Sequence, residues 1–216
     1  MSGAPWPHGE ETREALRANL ARYRRQARGA EGLRPAAVAI VLAPSPKGDT
    51  GFLLTRRVAR LSSHAGQYAL PGGRIDPGED ALSAARRELA EELDIAAGPE
   101  MVLGALDDLP TRSGYLVTPF VVWLGGQARP RPSPAEIAAL FHVPLGDLFA
   151  GPGRGGNRDE ARGSEVEPGV SSLFIPTLGH DLFAPTAAIL DHFREVALLG
   201  RPSPVVAFGE PRFARR

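Results

Sequence analysis

The segment from Gly73 to Ile95 constrains this chain more than any other, because it joins a helix pattern to a dense cluster of glutamates. Its second half is rich in Ala, Leu, Arg and Glu, which are strong helix formers. Apolar residues recur there every three or four positions, which places them on one face of a helix. The pattern therefore predicts an amphipathic helix over 81–93, with a buried stripe made of Leu82, Ala85, Leu89 and Leu93.

The acidic residues of this helix share one side. Glu88, Glu91 and Glu92 stand at i, i+3 and i+4, so their carboxylates converge. Like charges at such spacings cost about 0.2–0.5 kcal/mol per pair. A hard divalent cation such as Mg²⁺ takes oxygen ligands and cancels this repulsion. A solvated face with Arg86 and Arg87 as counter-ions explains the same spacing, so the spacing alone leaves both interpretations open.

Composition excludes several classes of protein. The chain has 216 residues, which suits one domain with extensions, and equal numbers of basic and acidic residues (25 each) give no net charge. Bulk attraction to nucleic acid or to a membrane is therefore not expected. Cysteine is absent, which excludes disulfides, thiolate metal sites and cysteine nucleophiles. No signal peptide pattern or membrane-spanning apolar run is visible, so we expect a soluble cytoplasmic protein.

The rest of the chain reads as alternating helices and strands. The apolar and polar patterns predict helices over 10–28 and 185–199, strands over 36–42, 51–57, 101–109, 115–124, 137–143 and 173–177, and a helical turn over 145–149. Pro119 indicates an edge strand or a bulge, because proline donates no hydrogen bond to a sheet. The Gly- and charge-rich stretch 151–169 predicts a surface loop. Periodicity alone thus indicates a single α+β domain.

The glutamate helix lies within a longer pattern. Gly73 is followed after five residues by Glu79, and after seven more by Arg87-Glu88-Leu89-x-Glu91-Glu92-x-x-Ile95. This arrangement resembles the Nudix box of the Nudix hydrolases. One position departs from the family, which usually has Gly where this chain has Asp94. Asp is a second choice at a helix end that requires a left-handed backbone, so the departure leaves the ligand positions intact.

The resemblance implies a fold, an activity and a cofactor. The fold would be an α/β/α sandwich around a mixed β-sheet. We expect an N-terminal extension over 1–34, a Nudix hydrolase domain over 35–200 and a tail over 201–216. Nudix hydrolases cleave pyrophosphate bonds in small nucleoside diphosphate derivatives with Mg²⁺ or Mn²⁺, and a homodimer is compatible with this family.

The resemblance also assigns roles to particular residues. Metal ligands would come from four positions: Glu88, Glu91, Glu92 and the backbone carbonyl of Gly72. Glu79 would pair with Arg87 to hold the loop, with Gly73 as a second structural residue. The general base would be either a box glutamate or Glu136. Together with Arg87, the catalytic candidates are therefore Glu91, Glu92 and Glu136.

The segment upstream of the box indicates a substrate. Leu53-Leu54-Thr55-x-Arg57, His64-x-Gly66-Gln67 and Pro71-Gly72-Gly73 resemble the motif of coenzyme A pyrophosphatases. The chain departs from that motif at Val58, at Ser62 (where a later Arg is expected, with Arg60 as a nearby substitute) and at Leu70. The substrate-binding candidates are Arg57, Arg60, His64, Gly66 and Gln67.

Three functions follow in order of preference. The first is hydrolysis of coenzyme A or its thioesters to 3′,5′-ADP and a 4′-phosphopantetheine compound. The second is hydrolysis of another nucleoside diphosphate derivative, such as ADP-ribose, a nucleotide sugar or a dinucleotide. The third is a non-catalytic Nudix binding domain. His142 and His180 are isolated in the sequence and are interpreted as structural histidines.

Overall fold

The computed structural model describes residues 6–58, 67–126, 128–151 and 172–203. The helices are α1 (Glu10–Arg22), α2 (Ala81–Leu93) and α3 (Thr186–Phe193), with short helical turns at Pro99–Met101, Leu145–Phe149 and Arg194–Leu198. The strands are β1 (Arg34–Pro44), β2 (Thr50–Arg57), β3 (Tyr68–Ala69), β4 (Gly72–Arg74), β5 (Val102–Ala105), β6 (Leu109–Pro110), β7 (Tyr115–Trp123), β8 (Ile137–Pro144), β9 (Ser172–Ile175) and β10 (His180–Phe183).

A mixed sheet of eight strands forms the centre, with β1 as its middle strand. Strand β7 runs parallel to β1 along its length, whereas β2 and β4 pair antiparallel with the two ends of β1. Strand β8 extends the sheet beyond β2. Strands β9 and β10 form a separate hairpin. The mixed sheet confirms the predicted fold class.

Side-chain alternation along β1 builds one core on each face of the sheet. Ala36, Ile40 and Leu42 point toward the core that contains residues of α1 and α3. Ala37, Ala39, Val41 and Ala43 point toward α2 and form the second core with Leu89 and Leu93. The small alanines let α2 lie close to the sheet. Helices therefore cover both faces, as an α/β/α sandwich requires.

Helix α1 ends at Arg22, earlier than the sequence predicted. Tyr23 already has an extended backbone, with φ −76° and ψ 128°. Farther along, the backbone N–H of Gln26 donates to Asp107 (2.8 Å) and that of Arg28 donates to Asp108 (2.8 Å). These amides are used by distant carboxylates instead of helix carbonyls, so the helix does not continue to Arg28.

Pro119 lies in an interior strand, so the first of the two predicted alternatives, an edge strand rather than a bulge, was wrong. Strand β7 has β1 on one side and β5 and β6 on the other. The Pro119 carbonyl accepts from the amide of Leu106 (2.9 Å) in the gap where pairing passes from β5 to β6. The nitrogen and the carbonyl of a strand residue point to the same side. The Pro119 nitrogen, which carries no hydrogen, therefore faces the gap between β5 and β6, where no strand pairing is lost.

The C-terminal region also differs in part from the prediction. Strand β10 was not predicted, because its four residues include the polar His180 and Asp181. The predicted helix over 185–199 is α3 followed by a π-helical turn. Leu199 is 37% exposed and does not face inward. The predicted loop 151–169 lies almost wholly outside the described residues.

None of the helices in the described residues has the length and the apolar composition of a membrane span.

Candidate functional site

Helix α2 carries the acidic cluster and has well-defined ends. The Asp80 carboxylate accepts from the amides of Leu82 (2.9 Å) and Ser83 (3.0 Å), as an N-cap does. At the other end Asp94 adopts the left-handed conformation, with φ 57° and ψ 35°. The helix predicted over 81–93 is therefore confirmed, together with the backbone conformation that the family usually gives to Gly.

Two adjacent glycines, Gly72 and Gly73, allow strand β4 to pack closely against β1 and α2. Gly72 has φ +149°, and a Cβ there would lie 2.3 Å from the carbonyl oxygen of Ala37. A Cβ on Gly73 would lie 2.3 Å from Oε1 of Glu88. The Gly72 amide in turn donates to Oε2 of Glu92 at 3.2 Å. The close approach of strand β4 to both β1 and α2 therefore requires glycine at these two positions.

Glu92 is the buried member of the cluster, with 1% of its surface exposed. Its carboxylate accepts from the Arg57 guanidinium (Nη1, 2.9 Å) as well as from the Gly72 amide. The pKa of Glu92 is raised to about 7, chiefly by burial and to a smaller extent by the charges of Glu88 and Glu136, while Arg57 and the Gly72 amide act in the opposite direction. The ionised form of such a buried carboxylate is stabilised when a cation lies next to it.

Arg87 holds the other two glutamates. Its guanidinium donates to Glu88 (2.8 Å) and to Glu91 (3.1 Å). It also donates to both carboxylate oxygens of Glu79 (3.1 and 3.2 Å) and to the carbonyl of Arg74 (2.9 Å). The Glu79–Arg87 pair expected from the sequence is thus present. The contacts with Glu88 and Glu91 match the alternative interpretation of the sequence, in which Arg87 is a counter-ion of the glutamate face.

The pKa values of Glu79 and Glu88 are shifted in opposite directions. The hydrogen bond from Arg87 lowers the pKa of Glu79. Burial raises the pKa of Glu88, although its contact with Arg87 acts in the other direction. Arg87 therefore contacts both a loop carboxyl group with a lowered pKa and a helix carboxyl group with a raised pKa.

Arg57 and Glu136 complete the charged group. Nη2 of Arg57 lies 3.7 Å from Oε2 of Glu136, whose side chain is 40% exposed. The amide of Val58 donates to the carbonyl of Glu136 (2.9 Å), so the end of β2 fixes the start of β8. The sequence motif predicted that Arg57 binds substrate. Its contacts with Glu92 and Glu136 were not predicted. Strand alternation was the available signal, because Leu53 and Arg57 share the face that α2 covers.

The donor set fits a hard divalent cation in its chemistry, because Glu88, Glu91 and Glu92 offer only oxygen ligands. In position the fit is incomplete. Among the described residues no group of three or more His, Cys, Asp or Glu side chains is gathered as a metal site requires. Glu92 is paired instead with Arg57, and Glu88 and Glu91 are paired with Arg87. Two guanidiniums thus stand where a metal ion would supply the positive charge.

An apolar recess of about 260 Å³ lies on the same face of the sheet. Its lining includes Ala43, Leu53, Leu124, Pro130, Leu140 and His142. His142 is held at one side, since its Nε2 lies 2.9 Å from the carbonyl oxygen of Ala43. Its ring also lies over Gly51, where a Cβ would be 2.3 Å from the ring carbon Cε1. Leu53 of this lining precedes Arg57 by four positions in β2, so the two side chains lie on the same face of the strand.

The upstream substrate segment is described only in part. Arg60, His64 and Gly66 lie outside the described residues, as does Ser62. The carbonyl of Gln67 accepts from the amide of Arg57 at 3.3 Å. Leu70 is 4% exposed and belongs to the core opposite α2.

Several known proteins are similar to this chain over part of its length. A NUDIX domain model matches residues 32–161. The chain is 44% identical over 118 residues to an uncharacterized Nudix hydrolase NudL of Photorhabdus laumondii, covering 54% of this chain and 62% of that protein. It is 42% identical over 114 residues to the protein of the same description in Pectobacterium atrosepticum, covering 52% and 57%. The match therefore spans less than two thirds of the length of these relatives.

Solved structures include similar chains. The MutT protein of Methanosarcina mazei Go1 is 25% identical, with a TM-score of 0.43, over 58% of this chain and 82% of that one. The NUDIX domain model itself covers more than half of the 216 residues. The chain belongs to the Nudix domain family.

Proposed function

We propose that the protein is a divalent-metal-dependent pyrophosphohydrolase that acts on coenzyme A or its thioesters. The products would be 3′,5′-ADP and a 4′-phosphopantetheine compound. The observation that carries this proposal is the buried carboxylate of Glu92, which lies beside Glu88 on α2 and is held by the Gly72 amide. A buried carboxylate beside other carboxylates is unfavourable on its own, and a bound cation would compensate this cost.

The proposed metal ligands are Glu88, Glu91 and Glu92, with the backbone carbonyl of Gly72. A bound Mg²⁺ or Mn²⁺ would neutralise charge on the phosphoryl oxygens and lower the pKa of a bound water. Arg87 is a positioning residue in this scheme, because it joins the helix glutamates to Glu79 in the loop.

We assign Glu136 the role of orienting and deprotonating the attacking water. Its side chain is 40% exposed, yet its backbone is fixed to Val58 and its carboxylate reaches the guanidinium of Arg57. A base must reach both water and solvent, and Glu136 meets both conditions better than the buried Glu92. Glu91, with a side chain that is 53% exposed, is the alternative base.

Coenzyme A is favoured by the segment that precedes the box. Arg57, Arg60, His64, Gly66 and Gln67 are the proposed substrate contacts, and arginine is a natural bidentate partner for phosphate. The apolar recess next to Leu53 and His142 is suited to a less polar part of the substrate. The same recess would also accept the base or sugar portion of another nucleoside diphosphate derivative, so that class remains the second candidate.

A substrate panel tests this proposal. The protein with Mg²⁺ would be incubated with coenzyme A, acetyl-coenzyme A, ADP-ribose, a nucleotide sugar and dinucleotides, and the products identified by mass spectrometry. We expect 3′,5′-ADP from both coenzyme A compounds. Turnover of another member without turnover of either coenzyme A compound would reject the proposed substrate, and metal binding without any turnover would indicate a binding domain.

We also propose the division into an extension (1–34), a hydrolase domain (35–200) and a tail (201–216). In the described part of the extension, Leu16 and Leu20 are buried in the core opposite α2. The extension is therefore expected to fold with the domain. Light scattering after size-exclusion chromatography would determine whether the protein is the homodimer that the family allows.

A further inference from the structure

The Arg57 guanidinium is the counter-ion of a carboxylate that has lost almost all contact with water. Glu92 is 1% exposed, whereas the Arg57 side chain is 26% exposed and therefore has access to solvent. Their contact is a charge-assisted hydrogen bond of 2.9 Å. A buried carboxylate without a partner is strongly unfavourable, so Glu92 requires a cation in every state in which it is ionised.

The carboxylates of the site are divided between two guanidiniums. Arg87 takes Glu88 and Glu91, and Arg57 takes Glu92 and Glu136. This division keeps the carboxylates of one cluster apart. Among the described residues, no three His, Cys, Asp or Glu side chains are placed so that they could hold a metal ion.

The two guanidiniums differ in how firmly they are held. Arg87 is also tied to Glu79 and to the Arg74 carbonyl, which belong to the loop before α2. Within the described residues the Arg57 guanidinium contacts only Glu92 and Glu136. Arg57 can therefore move away from Glu92 without breaking the loop, provided that another cation replaces it.

We propose that Arg57 and a divalent cation compete for Glu92, so that Arg57 is a positioning residue exchanged when metal enters the site. This inference rests on the metal dependence in the proposed function. Competition between two cations for one carboxylate is a negative coupling, so Arg57 weakens metal binding in the substrate-free protein. Once displaced, the guanidinium is free to bind an anionic phosphate oxygen, which couples metal entry to substrate binding.

The test measures metal affinity without substrate. Mn²⁺ would be titrated by calorimetry and electron paramagnetic resonance into the full chain, in a mildly alkaline buffer. We expect Arg57→Gln to bind Mn²⁺ about tenfold more tightly than the unmodified protein, since one charge-assisted hydrogen bond to Glu92 no longer has to be broken. Equal or weaker Mn²⁺ binding by a folded Arg57→Gln variant would overturn the proposal.

Arg56→Gln is the matched control. It removes the same charge one residue earlier, from an exposed side chain that strand alternation directs to the other face of β2. General electrostatics would act on both variants, but exposed charges are screened, so we expect Arg56→Gln to change the affinity by less than about twofold. A tenfold change in both variants would mean that net charge, and not exchange at Glu92, controls metal binding.

Arg57→Lys covers the case in which the glutamine variant does not fold. It keeps the positive charge, so Mn²⁺ affinity should stay within about threefold of the unmodified protein. In turnover assays we expect both Arg57 variants to raise KM more than they lower kcat, which a purely structural role would not produce. Because the titrations need no turnover, binding without hydrolysis would reject only the proposed function. Absence of Mn²⁺ binding in all variants would reject both proposals.

Discussion

At the scale of single residues, Glu92 shows how an unfavourable feature is maintained. Burial is the main cause that raises its pKa to about 7, and the charges of neighbouring glutamates contribute to that value. The Arg57 guanidinium and the Gly72 amide compensate at 2.9 and 3.2 Å. The carboxylate thus accepts hydrogen bonds from two groups of the described residues, the Arg57 guanidinium and the Gly72 amide.

Replacing Glu92 by glutamine should separate chemistry from folding. Glutamine keeps the shape and one acceptor oxygen, so we expect a melting temperature close to that of the unmodified protein. Turnover should fall by at least about 10²-fold, because a charged ligand is lost. Steady-state kinetics and thermal denaturation would measure the two effects, with the exposed Glu100→Gln as control. Near-normal turnover of Glu92→Gln would contradict the ligand assignment.

Gly72→Ala should be costly for a different reason. The added Cβ would lie 2.3 Å from the Ala37 carbonyl on a backbone with φ +149°. We expect a loss of about 2–4 kcal/mol in the free energy of unfolding, from strain and overpacking together. Gly125→Ala is the control, because its Cβ would meet nothing within 4 Å and its φ is not positive. Urea denaturation of both variants tests this, and equal losses would refute the steric argument.

At the scale of elements, helix α2 is stabilised by its N-cap residue and destabilised by its C-cap residue. The Asp80 side chain satisfies two amides at the N-terminus. At the C-terminus Asp94 occupies the left-handed region, where a side chain is strained, and its charge lies at the negative end of the helix dipole. Its ion pair with Arg131 (3.7 Å) joins two exposed side chains and offers little compensation.

Asp94→Gly should therefore stabilise the protein. We expect the free energy of unfolding to rise by about 0.5–1 kcal/mol, because glycine adopts this conformation without strain. Chemical denaturation would measure the gain, and metal titration should show an unchanged affinity. Arg131→Gln serves as control, with an expected change below about 0.5 kcal/mol. A destabilised Asp94→Gly protein would show that the aspartate contributes more than the left-handed backbone costs.

At the scale of the whole molecule, two adjacent aspartates connect distant parts of the chain. Asp107 accepts from the Tyr23 hydroxyl (2.8 Å), and its backbone amide lies 3.4 Å from Nε2 of His192. Asp108 accepts from Thr118 (2.7 Å) and pairs with Arg25. The N-terminal segment, the β5–β6 connection and α3 are thus joined through buried polar contacts.

His192 should make stability depend on pH. Burial lowers its pKa, although the Asp107 and Asp191 carboxylates act in the opposite direction. The unfolded chain then takes up the proton first as the pH falls, so this contribution to stability is lost from the ordinary histidine pKa downward. We expect the melting temperature to fall less between about pH 7.5 and about pH 5 in His192→Gln than in the unmodified protein.

The comparison of slopes is the decisive measurement, because His192→Gln also changes stability at neutral pH. His8 has a pKa lowered by burial as well, so part of the slope should persist in the variant. Tyr23→Phe is a useful control, since it removes a contact with Asp107 without removing the histidine. Identical slopes in His192→Gln and the unmodified protein would contradict the assignment.

The sequence by itself determined the features that depend on neighbours in the chain. The bounds of α2, its Asp80 cap and the left-handed Asp94 follow from periodicity and capping, which act over a few residues. Strands β1 and β2 follow from apolar runs next to a turn. Helix α1 was predicted too long, because the carboxylates that draw its continuation away belong to Asp107 and Asp108.

Only the tertiary structure decided that Arg57 meets Glu92 and Glu136. Arg57 and Glu92 are 35 positions apart in the chain, and their contact depends on how α2 lies on the sheet. Glu136 joins them because β8 pairs with β2 in one register. No local pattern encodes such a register, since it results from packing both faces of the sheet at once. The carboxylates and their neighbour Arg87 were visible in the sequence, whereas the pairing of Glu92 with Arg57 was decided by the fold.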